Sequence, residues 1–439
     1  MACGALVCSA LTASAQTLAP GSSPGREYRG VFAGGTDQSA QVLSANGSVS
    51  AGYDTSAERG AAESGLPVSN LPYEASMYNQ FGGGLSYSAN LKKLTAGASL
   101  SSSARQYPET QTPLTLGHAL SGGASLTLGK SDRTTINGGG GLTFSSMRTF
   151  MPFPQLDEAG IDLVDPPSPD FASAQTRYYN YSSNVGISRK LSQRSTFTAG
   201  YSRAWTKYAN GVEDLDRNTI DFRFTRSLTQ HLGLHLGYGL TEAHYALTDT
   251  DYRTHNIDTG VDYSRALSLT RRTSLAFSTG GTAVSQDQVT RFDVIGTVTA
   301  NREIGRTWGA SVSYNRNVRF DEAFLQPVFS DGISAGFGGL INQRLSFHSG
   351  MGATRGTIGM SSTSSDNGFD AVNGFAGLNT AINRYLSVGV NYTFYRYNFE
   401  QDPLVVSGLL PHLNRHSINV TLSAWAPVFQ RGKRSNASR

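Results

Sequence analysis

Serine, histidine and carboxylate are the usual parts of a hydrolytic site, and one frame for such a site is present. Gly332-Ile333-Ser334-Ala335-Gly336 matches G-x-S-x-G, the pattern that lifts a nucleophilic serine onto a sharp strand-to-helix turn. In a chain with 49 glycines that match arises readily by chance. Ser334 also lies within alternating strand sequence, where the elbow needs a turn. Among the eight histidines, His231 and His235 share the polar face of one segment. Four residues of strand hold them about 13 Å apart, too far to share a metal ion. His348 and His412 have no close sequence partner. Both cysteines, Cys3 and Cys8, fall in the first eight residues, so the rest of the chain offers no thiolate ligand and no disulfide. A barrel phospholipase would need Ser and His adjacent on an outer wall, and the sequence names no such pair. No catalytic, metal or cofactor-binding residue is assigned, and no cofactor is expected.

What remains are charges placed among small polar residues. Arg105, Asp221, Arg223, Asp258, Asp262, Arg291 and Asp293 alternate with apolar neighbours. A second group, Asp157, Glu158, Asp162, Asp165 and Asp170, gathers in a segment stiffened by Pro152, Pro154, Pro166, Pro167 and Pro169. Charges of both signs along a small polar surface suit contact with water and hydrophilic solutes, provided that surface faces a common interior.

Alternation supplies the interior. Leu43, Ala45, Gly47, Val49, Ala51 and Tyr53 interleave with Ser44, Asn46, Ser48, Ser50, Gly52 and Asp54. The same period returns at Ile220-Asp221-Phe222-Arg223-Phe224, at Leu232–Leu240 and at Ile418–Ala424. Successive strand side chains point to opposite faces, so each segment carries an apolar and a small polar face. Leu91–Leu94, 129–133, 189–193, 227–230, Leu267-Ser268, 303–306, Asn342–Arg344 and 383–385 read as short polar turns. They recur every 36–41 residues or so, save for one long insertion. Between them run longer connections such as 54–77, 148–176, 318–331 and 400–414. Eight turns and nine loops give 17 connections, hence about 18 antiparallel strands with both chain ends on the short-turn side.

Composition narrows the setting. Charged residues make up 15% of the chain against about 25% in soluble proteins. Aromatic residues reach 10% and net charge is +4, which excludes a charge-rich disordered chain. Basic residues do not cluster beyond a run such as Arg431, Lys433, Arg434, so nucleic acid is not an expected partner. Strands of about 10–15 residues exceed those of soluble sandwiches. In lipid an open sheet would leave two bare edges, so the strands must close. The predicted fold is an all-β transmembrane antiparallel β-barrel of about 18 strands, with short periplasmic turns and long extracellular loops. Aromatics near both strand ends, among them Tyr78, Trp205, Tyr208, Phe197 and Trp308, fit the girdles of such barrels.

Over residues 40–429 the chain resembles bacterial outer-membrane β-barrel proteins of the porin type. The resemblance rests on alternating strands, short turns, long loops and an aromatic-hydrophobic last strand, Ser417–Phe429. Where such barrels commonly finish on a C-terminal Phe read by the assembly machinery, this chain continues to Arg439. The resemblance implies location in the cell outer membrane, with outer-membrane lipid, the assembly machinery and small hydrophilic solutes as partners. A homo-oligomer is also compatible with it. It implies passive diffusion of such solutes through a lumen. Two alternatives stand beside this: a barrel serving polysaccharide export or assembly, and a non-conducting structural or surface barrel. By position between the fifth and sixth strands, 148–176 corresponds to the loop that folds inward in general porins. Its acidic group is then expected at a constriction, facing Arg105, Arg223 or Arg291.

The ends complete the organisation. Residues 2–13 are apolar, and Ala13-Ser14-Ala15 before Gln16 resembles an export cleavage site. The expected division is a signal peptide over 1–15, a periplasmic segment over 16–40, the barrel over 41–429 and a tail over 430–439. No Lys or Arg precedes the apolar run, so the signal is atypical or begins upstream.

Overall fold

The structure is a computed structural model. It describes residues 39–433 apart from 58–73, 92, 110–113, 129–132, 147, 150–171, 175–176, 210–213, 230–231, 264–272, 287–288, 306, 321–323, 325, 361–366 and 401–411. The proposed signal peptide, most of the following segment and most of the acidic loop therefore lie outside the described residues.

The first strands are β1 (Ser39–Ala57), β2 (Glu74–Asn90), β3 (Leu94–Gln106), β4 (Thr115–Leu128) and β5 (Thr134–Ser145). Two short pieces follow, β6 (Arg148–Thr149) and β7 (Ala172–Ala174). The wall resumes with β8 (Tyr178–Lys190), β9 (Ser195–Tyr208), β10 (Leu215–Ser227), β11 (Leu232–Tyr245), β12 (Thr250–Tyr263) and β13 (Thr273–Gln286). It ends with β14 (Val289–Ile304), β15 (Trp308–Phe320), β16 (Pro327–Leu340), β17 (Leu345–Ile358), β18 (Gly368–Ala381), β19 (Leu386–Phe399) and β20 (His412–Lys433). Eighteen of these form one antiparallel sheet, the number expected from the turns. Among the described residues β6 and β7 pair only with each other, Arg148 opposite Ala174.

The sheet closes because β1 pairs with β2 on one side and β20 on the other. Ser39 stands opposite Lys433, which puts both ends of the barrel chain on the short-turn side. The wall continues past Phe429, since Gln430 and Arg431 pair with Val42 and Gln41. The segment expected as a tail thus begins as strand. One bulge interrupts this seam: Ser44 faces Pro427 and Leu43 faces Phe429. Proline, which lacks the N–H a ladder needs, is placed where the ladder is already irregular.

Alternation decides which face each residue takes. On β11, Leu234, Leu236 and Tyr238 are 41%, 57% and 38% exposed on the outside, while His235 between them is 5% exposed on the inside. Exposed Val, Leu, Ile, Phe and Tyr cover the outer surface strand after strand. Such a surface is the apolar band of a membrane wall, inverted relative to a water-soluble sheet.

The short turns reuse one device. After β8, β10, β16 and β18 an aliphatic residue leads into Ser192, Thr229, Asn342 or Asn383. The aliphatic backbone N–H donates to the carbonyl of the next strand's first residue, as Leu191 does to Ser195 and Ile341 to Leu345. The polar side chain then accepts from backbone N–H groups of the turn. Asn383 Oδ1 takes Tyr385 N–H at 2.7 Å and Leu386 N–H at 3.0 Å, and Asn342 Oδ1 takes Arg344 and Leu345 N–H. Hydrogen bonds of this kind satisfy donors that a tight reversal would leave bare.

Candidate functional site: the lumen and an inward-folded hairpin

The inner face is built from small polar side chains, with several of its charges held in pairs. Arg223 on β10 and Asp258 on β12 both flank Gly237 on β11 in register. Arg223 Nη2 donates to Asp258 Oδ2 at 3.1 Å across it. His235 Nε2 stands 3.2 Å from the same oxygen. Glycine is required between them, since a Cβ at Gly237 would lie 1.9 Å from Asp258 Oδ1. Gly260, opposite His235, likewise leaves room for the imidazole, with a Cβ there only 2.3 Å from His235 Cε1. Asp221 shares the inner face of β10 with Arg223 and is partly exposed. Asp262 is paired in register with Gly233, but its side chain lies outside the described residues.

Arg105 is buried against β2, donating through Nε and Nη2 to Gln80 Oε1 at 3.2 and 2.6 Å, with its guanidinium 4.2 Å from the Tyr78 ring centroid. Beside it the sequence reading missed a buried group. Arg415 on β20 forms an ion pair with fully buried Asp54 on β1, and Tyr107 donates to Asp54 Oδ2 at 3.3 Å. These residues are 361 positions apart and meet only because the barrel closes. The signal available in the sequence was Asp54 at the polar phase of β1, and its partner depends on strand number and register.

Arg291 and Asp293 on β14 mark the most irregular place in the wall. β14 pairs with β13 as far as Gln286↔Val289, but with β15 only from Ile304↔Trp308 to Gly296↔Arg316. β15 and β16 remain zipped to Phe320↔Pro327. Their hairpin end therefore leaves the wall and leans into the lumen. Phe320 packs in a buried cluster with Leu215, Tyr245, Tyr252 and Val284, from β10 to β13, its ring 5.9 Å from Tyr252. Arg217 Nη1 donates to Phe320 O at 3.4 Å. Just beyond β15, Phe324 packs with Phe369 and Phe399 on β18 and β19.

The outer face of the leaning hairpin rests on the inner face of β14. Arg291 lies over the Phe329 ring at 3.5 Å and donates to Gly359 O and Thr357 Oγ1 at 3.1 and 3.3 Å. Arg316 donates to Asp293 Oδ1 at 2.7 Å. Among the described residues, the segment that narrows the lumen thus comes from β15 and β16. The acidic residues Asp157, Glu158, Asp162, Asp165 and Asp170 lie outside the described residues. Arg105, Arg223 and Arg291 all have partners within the wall.

The hydrolase frame has no elbow. Ser334 is in the middle of β16 on the inner face, its Oγ 2.6 Å from Ser313 Oγ. His231 lies outside the described residues, His348 is buried opposite Gly377, and His412 is exposed at the start of β20. Among the described residues no group of three His, Cys, Asp or Glu side chains is placed to hold a metal ion.

No family model matches the chain, and no curated protein matches it. Among solved structures, it is similar to Pseudomonas aeruginosa OpdQ at 10% identity and TM-score 0.45, over 89% of this chain and 98% of that one. It is similar to Acinetobacter baumannii OccAB4 at 13% identity and TM-score 0.41, over 88% and 98%. It is similar to the FrpB iron transporter from Neisseria meningitidis at 9% identity and TM-score 0.45, over 88% and 81%. Its own wall of 18 strands, closed into a ring through β1, β2 and β20 and apolar outside, is that of an outer-membrane β-barrel.

Proposed function

We propose that the chain is an outer-membrane channel for passive diffusion of small hydrophilic solutes. One observation carries this reading: a closed wall with an apolar outer face encloses a small polar inner face, narrowed at the long-loop end by a hairpin of the wall itself. Barrels of this strand number are wide enough for a water-filled lumen. The paired inner charges, Arg223–Asp258, Arg316–Asp293 and Asp54–Arg415, largely cancel. That favours neutral solutes over ions of one sign.

Refolded protein in planar bilayers should give stable current steps with little preference between cations and anions. Absence of steps from a folded barrel overturns the reading. It would favour a filled, non-conducting barrel, the second reading, which the two aromatic clusters at the long-loop end support.

A further inference from the structure

We propose that the β15–β16 hairpin end has two seats: the inward one seen here, and an outward one zipped onto β14 that widens the lumen. The inference rests on the channel reading above and assigns its gate.

The observation is an unused strand edge. Among the described residues, no strand pairs with the β15-facing side of β14 beyond Gly296. Phe292, outward on that side, is 79% exposed, the highest among the exposed apolar residues of the described wall, against 42% for Val298, which has Tyr314 opposite it. An unpaired edge in a membrane wall is costly, because lipid supplies no hydrogen bonds. Asp293 Oδ1 accepts the Val294 N–H at 2.8 Å; water at the rim or a returning strand must serve the rest.

The sequence of β15 is written for that return. Continuing the existing register by one residue at a time sets Ile295 opposite Asn317, Val294 opposite Val318, Asp293 opposite Arg319 and Phe292 opposite Phe320. The faces agree at each step. Val298 and Tyr314 point outward, so Val294, Val318, Phe292 and Phe320 would point outward together. Asp293 and Arg319 would meet as opposite charges on the lumen side. Apolar and opposite-charge pairs directly across a ladder are those that stabilise it. In the inward seat the ladder between β14 and β15 stops before these four positions.

The inward seat has its own support. Phe320 and Phe329 are buried in the cluster of β10–β13, and Arg291 binds Thr357 and Gly359 past the Phe329 ring. Moving out exchanges these contacts for the ladder and the Asp293–Arg319 pair. Two discrete packings of one segment, each internally complementary, are the makings of a switch.

A disulfide trap tests this in the full chain with Cys3→Ala and Cys8→Ala. Val294→Cys/Val318→Cys should cross-link under mild oxidation in the folded barrel and shift it to a larger conductance level, reversed by reductant. Val298→Cys/Tyr314→Cys, already opposite each other, is the control. If the control cross-links and the test pair does not, the outward seat is refuted. Cross-linking with unchanged conductance refutes the gate. The cross-link is read on a gel without any current, so a barrel that never conducts sinks the channel reading separately. Should the double variant not fold, Arg291→Ala, which removes the bonds to Thr357 and Gly359 that hold the inward seat, serves instead. It should make the larger level more frequent, and an unchanged distribution overturns the proposal.

Discussion

Gly237→Ala should destabilise the barrel relative to Gly239→Ala, although the two glycines share one strand and one face. A methyl at Gly237 would lie 1.9 Å from Asp258 Oδ1 and 2.8 Å from its Cγ, so the carboxylate has to turn away. Turning breaks its contacts with Arg223 and His235 at 3.1 and 3.2 Å. The Asp258 and Arg223 side chains are 24% and 28% exposed, between the buried and surface cases. Charge-assisted bonds contribute about 1.5–3 kcal/mol and exposed pairs about 0.2–1 kcal/mol, so the loss is roughly 1–2 kcal/mol. A methyl at Gly239 meets Asn256 Cβ at 3.8 Å and Ile220 O at 4.0 Å, both ordinary contacts. Both variants gain the same backbone term of about 0.5–1 kcal/mol on leaving glycine. It cancels, and the expected difference is the 1–2 kcal/mol or so of broken contacts. Reversible urea unfolding of the refolded barrel, followed by tryptophan fluorescence, measures it. In an Asp258→Ala background the difference should vanish, because the clashing group is gone. Equal stability of the two variants in the natural background refutes the reasoning.

Leu236→Lys, on the outer face, should cost about 2–4 kcal/mol if the residue lies at the bilayer midplane, read from the same unfolding curves; no loss would place it away from lipid. Arg415→Ala leaves the fully buried Asp54 carboxylate without its guanidinium and should cost about 3–5 kcal/mol, with Asp54→Asn in the same chain recovering part of it. Asn383→Ala removes the acceptor of two turn N–H groups and should cost about 1–2 kcal/mol; a neutral result would mean that water serves those donors equally well.

The wall was legible because its cause is local. Period-two alternation fixes which side chains face lipid, and a polar turn ends each strand irrespective of distant sequence. Strand number, closure and the outward placing of Leu234, Leu236 and Tyr238 follow from those two signals. The turn device at Ser192, Thr229, Asn342 and Asn383 was present in the letters as an aliphatic residue followed by a small polar one, and reads as a motif once its acceptor role is seen. Side-chain partners were less accessible. Asp54 and Arg415 belong to the first and last wall strands, and Arg223 reaches Asp258 across an intervening strand because Gly237 has no side chain. Neither pairing is encoded in spacing along the chain.

The hairpin end is where alternation misleads. The stretch 318–331, read from the sequence as a long connection, is strand as far as Phe320 and again from Pro327. Val312, Tyr314, Arg316, Val318 and Phe320 keep one phase, and that period would place Phe320 on the lipid face. In the structure it is buried inside the lumen, 6% exposed. Burying a phenylalanine among Leu215, Tyr245 and Tyr252 stabilises as well as contact with lipid does, since lipid tails are no more apolar than a protein core. The hydrophobic effect therefore does not choose between the two seats. Backbone pairing favours the wall, and the bonds of Arg291 to Thr357 and Gly359 favour the lumen. A pattern that serves both positions equally is what a segment needs if it is to move between them.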